Sequence, residues 1–277
     1  MGGFDSVLVI RLDGDHFRHH IRKRPIYSQH PCPETPMTVA TFKTTTKPQE
    51  VKPGQPLVPM VITVNDRAAT RESIILKVRS LGHQFIERSF WGAVKGKSSM
   101  DSDWDYTMIA LHHAGRSYSC GGGAEQMLKT QDLQMEKGFD DIGYHFGIDC
   151  QGNIYEGRDV RLKGSSVHNF NTGVIGIVLL NNLTTAEEGA DALALGRQSL
   201  EYLGFSTTNT IPAAQIDGLF NLIEALKSVF FIKNFGGHRE YPGQTAEGKI
   251  CPGNIGMDLV RAIRTRTDLL APTNPRA

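Results

Sequence analysis

A large charge imbalance, a long apolar run and closely spaced cysteine pairs are all missing from this 277-residue chain, and each absence removes a class of function. Thirty Lys and Arg against 29 Asp and Glu leave a formal net charge of +1, so no global field draws the chain to nucleic acid or to an anionic membrane surface. No window approaches the roughly 18 uninterrupted apolar residues of a spanning helix, which argues against membrane insertion and for a water-soluble protein. The four cysteines, Cys32, Cys120, Cys150 and Cys251, are too few and scattered for a disulfide framework. None forms a Cys-x-x-Cys pair, so stability is expected from the core. The apolar run at residues 7–10 is too short for a Sec-type export signal and follows no basic segment. The opening Met1-Gly2 with Ser6 meets the loose myristoylation pattern by coincidence. No internal repeat is evident.

What is present describes a folded protein. Hydrophobic residues make up 39% and charged ones 21%, with 13 Phe and 7 Tyr, and the length suits one large or two modest domains. Residues 1–82 read as a small β-rich N-terminal region, with strands at 7–12, 38–43 and 58–64 and a proline-punctuated connector at 47–59. Its basic tract, His16 to Arg24, has no acidic or cysteine partner at ligand spacing and reads as a solvated turn or helix. Residues 83–270 read as α/β, followed by a tail at 271–277. Strands are expected at 106–111, 143–149, 154–156 and 174–180, the middle two forming a hairpin about Gln151-Gly152-Asn153. Helices are expected at 123–137, 185–202, 212–230 and 255–264. A hairpin among crossover strands implies a mixed central β-sheet flanked by helices.

Three segments carry candidate chemistry. Leu111-His112-His113-Ala114 places two histidines at the end of a buried strand, where alternation of faces lets only one of them serve a given site. Gly236-Gly237-His238-Arg239 puts a histidine after glycines that free the backbone to bend. Lys249-Ile250-Cys251-Pro252-Gly253 sets a cysteine before a proline. Two imidazoles and a thiolate suit zinc and leave the fourth tetrahedral position for water, as a catalytic site requires. Taken singly, a buried histidine or cysteine is more often a packed core residue.

Jointly these segments sit in a longer pattern: Arg88-Ser89-Phe90-Trp91-Gly92-Ala93, Ile109 to His113, Asp141-Ile142-Gly143-Tyr144-His145-Phe146, Asn153-Ile154-Tyr155-Glu156-Gly157-Arg158, Asn171 ahead of Val174-Ile175-Gly176-Ile177, then Gly237-His238-Arg239 and Cys251-Pro252-Gly253. This pattern resembles the zinc-dependent N-acetylmuramoyl-L-alanine amidases, a family that includes amidase-type phage lysozymes and peptidoglycan recognition proteins. The resemblance implies a Zn2+ cofactor held by His112, His238 and Cys251, with Tyr144 as the active-site tyrosine and Lys249 as the cationic partner of the oxyanion. His113 and His145 read as supporting or packing residues on the faces opposite His112 and Tyr144. The loop from His238 to Cys251 is longer than in the family, and residues 184–210 read as an insertion. Cys120 lies where recognition proteins often carry a disulfide; its partner is not evident, and a free thiol stays open.

The activity implied is hydrolysis of the amide joining N-acetylmuramic acid to the L-alanine of the peptidoglycan stem, the substrate being intact wall or a muropeptide. Two alternatives stand beside it: a non-catalytic peptidoglycan-binding module, which typically lacks the cysteine, and a cytosolic recycling amidase, which commonly has aspartate in place of Cys251. With no Sec signal, a wall-degrading antibacterial enzyme is expected to leave the cytoplasm by another route. Type VI-like injection or release as an endolysin would deliver it to the target's periplasm and wall. Injection implies an immunity protein and a secretion-apparatus partner, with residues 1–82 as a delivery or docking segment.

Overall fold

The computed structural model describes residues 66–189, 192–204 and 206–272. The strands expected at 7–12, 38–43 and 58–64, the connector and the basic tract lie outside these residues, as does most of the tail. One compact unit runs from Arg67 onward. Its elements in chain order are α1 (Asp66–Ser80), β1 (Phe85–Ile86), β2 (Met108–His113), α2 (Gly123–Glu136), β3 (Phe146–Ile148), β4 (Ile154–Glu156), β5 (Val174–Leu179), α3 (Ala192–Tyr202), α4 (Ala213–Lys227), β6 (Asn234–Gly237) and α5 (Asn254–Thr267).

The sheet is mixed, in the order β1-β4-β3-β5-β2-β6, with only the β3–β4 hairpin pair antiparallel. β5, Val-Ile-Gly-Ile-Val-Leu, is buried at every position, as expected of a central strand covered on both faces. Ile109 and Leu111 of β2 join Ile175, Ile177 and Leu179 of β5 in the main core, closed by Leu219, Leu222 and Ile223 of α4 and Val260 and Ile263 of α5. On the opposite face, Met127 of α2 packs with Trp91, Ile142, Tyr155, Val178 and Leu180. Alternation along β2 therefore directs His112 away from the α4–α5 core.

Several boundaries differ from expectation for physical reasons. α1, unforeseen in sequence, buries Ile74, Ile75 and Val78 in the main core, so residues 67–82 pack with the sheet rather than apart from it. β2 starts two residues late because Thr107 and Met108 both donate to Gly173 O, and it runs on through both histidines. The helix expected from 185 starts at Ala192, since the Glu188 carboxylate accepts from Thr185 N at 2.9 Å and draws residues 185–188 into a turn. Cys120 is bonded to Cys150, tying the loop after β2 to the β3–β4 turn across 30 residues; stability is thus not left to the core alone. Among the described residues, no helix is long and apolar enough to cross a membrane.

Candidate metal centre

Sheet register assembles the first two donors. β2 and β6 are parallel neighbours with Leu111 opposite Gly237, so the residues that follow on the two chains, His112 and His238, emerge side by side. Their ring centroids are 4.5 Å apart. The third donor is brought in by the backbone: Arg239 N donates to Cys251 O at 2.9 Å, which sets Cys251 alongside His238. Close approach of the two segments depends on Gly237, where a Cβ would lie 2.7 Å from Pro252 Cδ and 2.4 Å from Met257 Sδ. Gly253 has φ of 87°, and a Cβ there would strike Leu183 O at 2.1 Å.

One donor atom from each of His112, His238 and Cys251 lies within 4.8 Å of the others. His112 Nδ1 is 3.6 Å from Cys251 Sγ, while its Nε2 is buried with no hydrogen-bond partner among the described residues. Burial, reinforced by the neighbouring His238 and His113, pushes His112 well below its ordinary pKa; burial also lowers His238. Both rings are therefore neutral at pH 7, the state in which imidazole ligates. Burial pushes the Cys251 thiol up to about 12, partly offset by the His113 backbone N–H, so deprotonation at neutral pH requires a cation beside it. A buried unpartnered nitrogen, a second neutral imidazole and a thiol in one cluster fit a divalent ion that accepts nitrogen and sulfur donors.

The remaining expected residues fall around this cluster. The Tyr144 ring is 4.9 Å from that of His112, and burial raises its pKa, keeping it a neutral phenol. Lys249 is half-exposed, with Nζ 3.7 Å from Glu247 Oε2, and the same carboxylate holds His168 Nδ1 at 2.7 Å. His113 accepts from Leu183 N at 3.3 Å. His145 is enclosed by the backbone: Nδ1 accepts from Gly176 N at 3.1 Å and Nε2 donates to Leu162 O at 2.9 Å.

Two supporting residues were not foreseen from sequence. Glu188, buried, accepts from Arg239 Nη2 at 2.6 Å and Asn254 N at 2.6 Å, fastening both flanks of the Cys251 loop. Gln244, fully buried, meets His238 Nε2 at 2.9 Å. Neither is flagged by residue type, since a Glu or Gln in a polar loop is ordinarily solvated.

Residues 102–254, more than half of the chain, match the family described as N-acetylmuramoyl-L-alanine amidase. Peptidoglycan-recognition protein LB of Drosophila melanogaster is 32% identical over 106 residues, covering 37% of this chain and 46% of that protein. Peptidoglycan-recognition protein SC2 of the same fly is 35% identical over 111 residues, covering 38% of this chain and 59% of that protein. The chain thus spans about half the length of these curated relatives. Among solved structures, wild-type Drosophila PGRP-LB superposes with a TM-score of 0.51 at 25% identity, over 69% of this chain and 99% of that one. Drosophila PGRP-SD, with a TM-score of 0.52 at 22% identity over 68% and 97% of the two chains, is similar in fold.

Proposed function

Because the chain belongs to the N-acetylmuramoyl-L-alanine amidase family, we propose that it is a zinc-dependent hydrolase of the amide between N-acetylmuramic acid and L-alanine in peptidoglycan. The observation that carries this reading is the convergence of His112, His238 and Cys251 on one point. Three donors of this kind leave a tetrahedral position open. Zinc held there supplies a Lewis acid for the scissile carbonyl and a water acidified towards neutral pH.

The chain's own groups do the rest. Tyr144, held as a neutral phenol, orients the attacking water or donates a hydrogen bond to the carbonyl oxygen. Lys249 faces the oxyanion that develops on that oxygen. To do so it leaves Glu247, and because an exposed ion pair of this sort is weak and screened by solvent, its release costs little. A wall substrate is further supported by the Cys120–Cys150 disulfide, which suits an oxidising compartment.

The test is mass spectrometry of soluble products after the zinc-loaded chain is incubated with purified peptidoglycan, beside a chelated control. Stem peptides with a free L-alanine amino terminus, absent from the control, are expected. Binding to the wall without release of peptide would replace the enzyme with a recognition module. Delivery by injection or lysis is tested by deleting residues 1–65, which spares α1: lost delivery with intact hydrolysis supports a docking segment, and unchanged delivery removes that role.

A further inference from the structure

We propose that Gln244 is the positioning residue that fixes the tautomer of His238, keeping its Nε2 protonated and leaving Nδ1 as the nitrogen that ligates the metal. This rests on His238 being a ligand and goes further, naming which nitrogen binds and what decides it.

The argument is one of hydrogen-bond supply. The Gln244 side chain is fully buried, and its Nε2 donates to His168 O at 2.9 Å and to Pro242 O at 3.2 Å. Backbone carbonyls only accept, so both amide protons are committed, and the reversed amide would set an oxygen against two oxygens. Oε1 must therefore face His238 Nε2, 2.9 Å away. An amide oxygen has no proton to give, so the imidazole supplies it. A neutral ring carries a single N–H, and its other nitrogen, Nδ1, is left with the lone pair.

The amide itself is not free to drift. Gln244 N donates to Tyr241 O and Lys249 N to Gln244 O, each at 3.1 Å, closing a turn within the loop. Tyr241, buried, donates its hydroxyl to Ile109 O of β2 at 2.7 Å. The long connection between His238 and Cys251 thus carries its own orienting group and is fastened to the strand that bears His112. Partners of this kind commonly change metal affinity 10–100-fold when removed.

The experiment uses the full chain labelled with 15N-histidine and freed of metal. Long-range 1H–15N correlation is expected to show His238, assigned by its loss in His238→Gln, as the Nε2–H tautomer. In Gln244→Met, of similar volume but without an acceptor, His238 is expected to become a mixture of tautomers. Zinc affinity, measured by chelator competition, should fall about 10–100-fold. An Nδ1–H ring in the unsubstituted chain would overturn the proposal without reference to any variant. So would an unchanged tautomer and zinc affinity in Gln244→Met. An Nε2–H ring in a chain that binds no zinc would support the role of Gln244 and count against the zinc reading alone.

Discussion

His112 sits inside a six-residue strand hydrogen-bonded on both sides, whereas Cys251 sits in a loop whose place is set by side chains reaching in from elsewhere. The strand ligand is carried by backbone pairing and by the alternation that buries Ile109 and Leu111 on the other face. The loop ligands depend on the hydrogen bonds of a few polar groups, Glu188, Arg239, Asn254 and Gln244, of which Glu188 and Gln244 are buried. The contrast teaches that one half of the centre tolerates many apolar substitutions of similar size, while the other hangs on single polar residues.

The largest expected effect falls equally on both halves. His112→Ala, His238→Ala and Cys251→Ala should each lose zinc and hydrolysis together, read by metal content after dialysis and by peptide release; full activity in Cys251→Ala would undo the ligand assignment. Next comes the sheet side: replacing Cys120 and Cys150 with Ser opens a 30-residue closure and should cost roughly 3–4 kcal/mol by denaturant unfolding. Zinc affinity should stay unchanged there, and a parallel loss would show that the strand half is not independent of its clamp. On the loop side, Lys249→Ala should retain zinc and lower turnover on the order of 10²-fold, as for one lost oxyanion contact. Wild-type turnover would remove Lys249 from the chemistry.

The smallest effect is a matter of pH. Burial pushes His145 down to about 4, below the ordinary value near 6.5 of the unfolded chain. The unfolded state thus takes up a proton that the folded state refuses. Stability is full above about pH 7 and declines as the pH falls through 6.5 towards 4, by about 2 kcal/mol at pH 5. Unfolding of metal-free protein at pH 7.5 and 5 should show this loss on top of that from the buried His112, His113 and His238, and His145→Gln, which keeps a donor and an acceptor, should remove about 2 kcal/mol of the total.

Much of the fold was legible because apolar spacing carries it. β4 begins and ends where alternation places it, and β5, α2, α4 and α5 lie within a few residues of expectation. α1 was missed because Ile74, Ile75 and Val78 are its only described residues in the main core, amid charged neighbours too sparse to mark a stripe. β6, Asn-Phe-Gly-Gly, has almost no strand propensity and exists because β2 offers it a free edge. The three donors could be grouped by resemblance alone, since nothing in composition joins residues so far apart. The Cys120–Cys150 pairing and the Gln244 contact are consequences of tertiary approach, which no local pattern announces.

Placing β6 at the sheet's margin also sets a timetable. His112 and Cys251 are 139 residues apart in the chain, and at roughly 5–20 residues per second a ribosome needs on the order of ten seconds to travel from one to the other. Until Cys251 is made, the nascent protein carries an incomplete donor set for the centre. Capture of the ion therefore waits until nearly the whole domain has been made, and a metal-loaded molecule is one whose last strand has already docked.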